Sequence, residues 1–473
     1  MTPIQPVDTS NAVVIGNGTP QSVTIAALQA ALAQGGSIRL NPGPIGVTLA
    51  VQSPLQVSAD TVLDGQGLVT FDGGGGTQVF RMAFNVDFTI QNLTVQNGRS
   101  PDRGGAVQGN QGRFAAINCQ FQTCTTTSPG PDIGGGAIYV SNAREVILGQ
   151  CTFSNCQGSN GGAVGTLGCD LVVVNCTFQN NRAFGTGGGA DQGPTGQGGI
   201  GGAIYIDGVH QFGTQNRLVV AGSTFTNNQA TNHGGAIFDF NYPGTGSTAT
   251  IDRCLFMGNL VTDVNGIALG GAVYIQNGTT TITGTTFASN RTIRQGGGLR
   301  LFAEGPALIE NCTFTDNRAT STTSGLGGAM TLSDGPITLN SLTIADNQSG
   351  LFSAGIFAAT SAQVTARNVL LVNNMAQDPF NGHGTNRTLL DGGGCIQFPM
   401  TRINGQMEVP ITPGTNWADP LLQPLGQNGG PTPTRALPAN SPALDIGTPN
   451  GAPPTDQRGS PRNGPPDVGA FER

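Results

Sequence analysis

Apolar positions in this chain recur in short alternating runs, not at helical spacing. Segments such as Ala203-Ile204-Tyr205-Ile206 and Arg217-Leu218-Val219-Val220 are each followed by Gly or Asn, the pattern of short strands joined by tight turns. Two elements then repeat. The first, Gly-Gly-Ala-apolar or a close variant, opens at Gly104, Gly135, Gly161, Gly201, Gly234, Gly270, Gly296, Gly327 and Ala354. The second, x-Thr-Phe-x-x-Asn or a variant, centres on Phe121, Phe153, Phe178, Phe225, Phe256, Phe287, Phe314, Ile344 and Leu371, and it follows the first by 17 or 18 residues in seven of nine units. One such unit cannot bury its apolar face alone, so successive units must wind on one another.

That requirement predicts an all-β fold, a single-stranded right-handed parallel β-helix. Each strand pairs with its counterpart one coil away, at about 4.8 Å. The phenylalanines form an interior column, and Asn181, Asn228, Asn259, Asn290, Asn317, Asn347 and Asn374 form an amide ladder at one turn. Ser22 to Ala33 is the best helix in the chain and is expected to cap the first coil. From about Asn416 proline becomes dense and the repeat ends, which predicts an irregular C-terminal cap that folds back. The expected organisation is residues 1–37 as N-terminal segment and capping helix, 38–400 as β-helix, and 401–473 as cap.

Composition narrows the field. Of 473 residues 75 are glycine, only 10% are charged, and all 20 basic residues are arginine. Such a chain is a poor helix former, yet it carries too many evenly spread aliphatic residues and too little net charge, −7, to be disordered. The acidic balance disfavours a nucleic-acid surface. No run of 18 apolar residues is present to span a membrane. Met1 to Pro20 lacks the features of a secretory leader, so an external location requires one outside this sequence. Nine cysteines, an odd number, follow the repeat. Cys119, Cys151, Cys176, Cys254 and Cys312 precede the Phe position by two, and Cys124 and Cys156 replace the ladder Asn. They read as small buried apolar residues, not as a disulfide framework.

The Gly-Gly-Ala-Ile and Phe-x-x-Asn pair is similar to the polymorphic outer-membrane protein repeat. The tail motifs Asp419-Pro420-Leu421-Leu422, Asn428-Gly429-Gly430-Pro431, Ser441-Pro442-Ala443-Leu444-Asp445 and Asp467-Val468-Gly469-Ala470-Phe471-Glu472 resemble the choice-of-anchor Q domain. These resemblances imply a bacterial extracellular or surface-attached β-helix and assign no reaction. A structural or adhesive role follows, with a polysaccharide or other cell-surface component as partner. The alternatives are a polysaccharide lyase or glycoside hydrolase acting on an acidic polysaccharide, and a subunit of an extracellular filament or surface assembly.

A candidate site emerges where the period breaks. The units at Gly201 and Gly234 have lags of 24 and 22, so both carry extra residues in the same turn. They hold Tyr205, Asp207, His210, Phe238, Asp239 and Tyr242, the predicted ligand-binding set. Strand parity turns Tyr139, Tyr205, Phe238 and Tyr274 outward as a ribbon on which sugar rings could stack. The same parity turns Asp239 inward, where an unpaired carboxylate is costly. Arg300 is a weaker candidate for a lyase base, and Gly382-His383-Gly384 reads as a loop. No cofactor is expected. Calcium is a candidate ion because 22 aspartates outnumber five glutamates, although no calcium loop is present.

Overall fold

In a computed structural model, residues 2–186, 198–208, 216–262 and 266–473 are described. The chain divides into two compact units. The first comprises Met1–Val219, Asn227–Thr231 and Ile237–Asn241, and the second comprises Val220–Thr226, Asn232–Ala236 and Tyr242–Arg473. Each is a right-handed parallel β-solenoid.

In the first unit the coils contribute strands to three sheets and, from Arg99–Ser100 onward, to a fourth row of two-residue strands. One coil runs Arg113–Ile117, Gln120–Gln122, Thr125–Thr126 and Ile138–Ser141. Its strands pair in parallel with Glu145–Gly149, Thr152–Ser154, Gln157–Gly158 and Val164–Leu167 of the next. The register aligns Phe121, Phe153 and Phe178, whose rings stack at 4.7 Å with planes within 4°. Each ring is fully buried, worth about 1.5–3 kcal/mol of transfer free energy.

The glycine pair is needed for two different reasons. Gly135 adopts φ 58°, and a Cβ there would lie 2.0 Å from the Ile138 carbonyl oxygen. At Gly136 a Cβ would meet the next coil's Gly162 carbonyl oxygen at 2.2 Å, so only glycine lets the coils close to β spacing.

At the front, the helix is Ile25–Gln34, capped by the Thr24 hydroxyl accepting from the Ala27 amide, with Leu28 and Leu32 buried. A strand ahead of it, Val13–Ile15, already pairs with Gly36–Leu40. Before that strand the chain is held by glutamine side chains: Gln91 grips both backbone groups of Val7, and Gln150 both of Ile4.

The second unit repeats the plan. Phe225, Phe256, Phe287 and Phe314 stack at 4.8, 5.0 and 4.5 Å. Beside them Asn259, Asn290, Asn317, Asn347 and Asn374 form a continuous ladder, each amide donating to the next Oδ1 at 2.9–3.0 Å. The first unit holds one such step, Asn181 to Asn228 at 2.9 Å. There Cys156 stands in the column and its backbone N–H donates to Asn181 Oδ1. All nine cysteines are buried thiols.

The tail folds back along the flank of the second unit. Leu437, Ala443, Val468 and Phe471 pack with Leu370, Val372 and Ile396 of the coils. Gln457 is the polar hub: its Oε1 accepts from Thr313 Oγ1 at 2.7 Å, and its amide donates to Thr286 and Thr432 hydroxyls at 2.8 and 2.9 Å.

Candidate functional site

Four of the predicted residues lie in the first unit and share two adjacent strands, Ile204–Asp207 and Ile237–Phe240, in the register Tyr205 to Phe238 and Ile206 to Asp239. Tyr205 Oη donates to Asp207 Oδ2 at 2.8 Å, and Asp207 Oδ1 accepts from the Gly208 amide at 2.6 Å. The Tyr205 and Phe238 rings lie 6.0 Å apart at 20°. Tyr205, Asp207 and Phe238 are therefore brought together. His210 falls outside the described residues, and Tyr242 belongs to the second unit, where it is exposed.

The ribbon expectation needs correction. Parity assigned Tyr139, Tyr205 and Phe238 to the side opposite Ile138, Ile204 and Ile237, but all three aromatics are buried, none above 1% exposed. Over Tyr139 the cover is a loop, for its hydroxyl donates to the Asp132 carbonyl at 2.7 Å, and Gly130 is pinned by Ser159 and Asn160. Burial raises the Tyr205 phenol far above its usual pKa, with the Asp207 charge adding to it. Rings closed off in this way offer no face to a sugar. Asp239 is interior, as parity required. Burial lifts its carboxyl to about 7 against the hydrogen bond from Asn241 Nδ2, and Asp207 adds to the rise.

The second unit corrects two further expectations. Tyr274 is buried between His233, at 5.1 Å and 12°, and Phe302. Desolvation lowers the His233 pKa to about 4. Arg300 is also buried: its guanidinium lies 3.4 Å from the Phe302 ring centroid and donates to the Leu301 carbonyl, and desolvation lowers its pKa to about 10. It is a packing residue of this wall, not an accessible base. His383 is buried too, its amide donating to Glu408 Oε2 at 3.0 Å.

A further concavity lies elsewhere in the first unit. A groove of about 420 Å³ is lined by Arg81, Ser100, Asp102, Arg103, Gln108 and Asn110, with Met82, Pro101 and Ile133 as its apolar floor and rim. Arg81 and Gln108 are neighbours in register on Phe80–Met82 and Val107–Asn110, in the same row as Tyr139. The covering loop, however, leaves this part of the row open. Sequence reading missed the groove because the coils before Gly104 lack the Gly-Gly-Ala marker. The available signal was Arg81 itself, set between the inward Phe80 and Met82.

A second concavity of about 280 Å³ in the second unit is lined by Asp316, Asp346, Gln348, His383 and Arg402. Arg435 of the tail binds the Asp346 carboxylate there, which ties that wall to the folded-back segment. Among the described residues no cluster of three or more His, Cys, Asp or Glu is placed to hold a metal ion. No helix of the described residues is long and apolar enough to cross a membrane.

The family described as "Right handed beta helix region" matches residues 69–260 and 207–392. Over 186 residues, 39% of this chain and 10% of the other, the chain is 26% identical to metabotropic glutamate receptor-like protein R of Dictyostelium discoideum. Over 134 residues, 26% of this chain and 13% of the other, it is 32% identical to probable outer membrane protein pmp8 of Chlamydia pneumoniae. The chain thus spans only a small part of the length of these curated relatives. Among solved structures, tailspike protein 3 of bacteriophage CBA120 aligns with 86% of this chain and 62% of its own, at 12% identity and TM-score 0.43. PfbA, a surface adhesin of Streptococcus pneumoniae, aligns with 78% of this chain and 92% of its own, at 12% identity and TM-score 0.32.

Proposed function

The chain belongs to the right-handed β-helix family, and since a fold by itself assigns no reaction, we propose that it is a cell-surface or secreted module with a structural or adhesive role that binds a polysaccharide. One observation carries this reading. The groove of the first unit presents five polar side chains, Arg81, Asp102, Arg103, Gln108 and Asn110, on coils whose backbone is hydrogen-bonded above and below. A concave, donor-rich wall on a stiff support is what a sugar chain needs from a binding protein, because hydroxyls are recognised by fixed polar partners and little ordering cost remains.

The polymorphic outer-membrane protein-like repeat and the choice-of-anchor Q-like tail support surface display in this reading. Glycan-array binding by the full chain, compared with an Asn110→Ala, Gln108→Ala double variant, tests it. The expected result is binding to a defined set of polysaccharides that weakens in the variant. An array on which the folded chain binds no glycan would overturn it.

A further inference from the structure

We propose that the groove of the first unit is selective for acidic saccharides. In this proposal Arg81 and Arg103 contact a carboxylate or sulfate of the polysaccharide, and Gln78 positions Arg81. The proposal rests on the glycan-binding reading and adds the charge of the ligand and the residues that read it.

The charges around the groove suit an anionic ligand. The chain carries 27 acidic residues against 20 arginines. Among the described residues most ion pairs draw on other arginines, such as Arg217 with Glu145 and Arg462 with Glu472, and none includes Arg81 or Arg103. Two guanidinium groups that line one concavity, neither paired with a carboxylate among the described residues, are open to an incoming anion.

The groove is also preorganised. Gln78 is only 3% exposed. Its amide donates to the carbonyls of Arg103 and Gly104 at 2.9 and 2.7 Å and approaches Gln108 Oε1 at 3.3 Å, while its Oε1 accepts from Arg81 Nε at 3.0 Å. One buried amide thus fixes Arg81 relative to the backbone of Arg103 and to Gln108. Arg81 is held through Nε, so both terminal amino groups remain available for a two-point contact with a planar carboxylate or a sulfate. Arg103 is oriented by the Tyr139 ring, 5.2 Å from its guanidinium carbon, and by the Asp132 carbonyl at 3.4 Å. Neutral hydroxyls of the same sugar would fall to Gln108 and Asn110.

Asp102 opposes the pair from the same groove and supplies an internal control. Its charge weakens binding of any anion, so its removal must strengthen it.

The test is calorimetric titration of the full chain with polygalacturonate, dextran sulfate, neutral dextran and single-stranded DNA at low and high salt. Arg81→Gln is expected to weaken the acidic polysaccharide on the order of tenfold, Asp102→Asn to strengthen it several-fold, and Gln78→Met to weaken acidic but not neutral chains. The first two polymers separate carboxylate from sulfate recognition, and either result supports the proposal. Because Asp102→Asn is a gain, its effect cannot arise from misfolding. Equal binding of neutral dextran, unchanged by Arg81→Gln, would overturn the charge assignment and leave glycan binding standing. Binding of DNA that matches the acidic polysaccharides and falls equally with Arg81→Gln would make the groove a general polyanion patch and overturn the saccharide assignment. A folded chain that binds none of the polysaccharides would remove the underlying reading as well.

Discussion

The phenol of Tyr205 donates to the carboxylate of Asp207 two residues further along one strand, at 2.8 Å, with both side chains buried. The bond ties a strand centre to its end, where Asp207 also receives the Gly208 amide. Tyr205→Phe keeps the ring packing and removes one donor from a buried carboxylate, so it is expected to cost about 1–3 kcal/mol. Hydrogen exchange at the amides of Ile204–Asp207 reads the loss locally, whereas glycan binding should be unchanged. Loss of binding without loss of protection would return these residues to the ligand site.

Asp239 makes the first unit sensitive to pH in the opposite sense from an ion-paired carboxylate. Its folded pKa of about 7 lies above the value of about 3.9 in an unfolded chain. Between those values the folded form holds a proton that the unfolded form has released. Its contribution is therefore fully present below pH 4, and stability falls by up to about 1.4 kcal/mol per pH unit until it is lost near pH 7. Asp239→Asn is expected to flatten that slope and raise the melting temperature at pH 8. A variant that melts lower than the parent at pH 8 would contradict it.

The asparagine ladder predicts a cost that depends on position. Asn317 accepts from the Asn290 amide groups and donates to the Phe287 carbonyl and to Asn347, all buried. Asn317→Ala leaves several of these groups without a partner at about 1–3 kcal/mol for each unsatisfied group. The exposed Asn404→Ala should change denaturant midpoints far less.

Thiol chemistry offers a direct check on the interior. Desolvation pushes the thiols of Cys151, Cys156 and Cys176 well above their ordinary range and those of Cys169 and Cys395 to about 12. At pH 8 the native protein should react with a disulfide reagent at fewer than one of its nine cysteines, and at all nine after unfolding. Rapid labelling of the native protein would place a thiol at the surface.

Gln457 links the tail to Thr286, Thr313 and Thr432. Gln457→Ala should loosen the returning segment, which limited proteolysis would show as faster cleavage beyond Asn416 with the coils intact.

The coils from Phe121 to Phe178 and from Phe225 to Phe314 were legible because the interior of a coil is a matter of period and parity, both local properties. Even the inward turn of Asp239 followed from counting. The cover over Tyr139 was not, since the segment that reaches it around Asp132 does so through side-chain-to-carbonyl contacts that no alternation encodes. The contact of Gln457 with Thr313, 144 residues away, is equally invisible to a periodic reading. The groove at Arg81 escaped for a third reason: without the glycine marker the coils before Gly104 cannot be counted, and the register of Arg81 with Gln108 is known only once the strands are paired.

The phenylalanine files of each unit have a consequence for how such a protein can change over generations. Phe287 stacks on Phe256 and Phe314, like on like. Removing or duplicating one complete storey would leave each ring beside another ring, whereas deleting a single residue from a strand would turn its inward and outward faces over. Size in this architecture is therefore quantised, open to revision by whole floors and closed to revision by bricks.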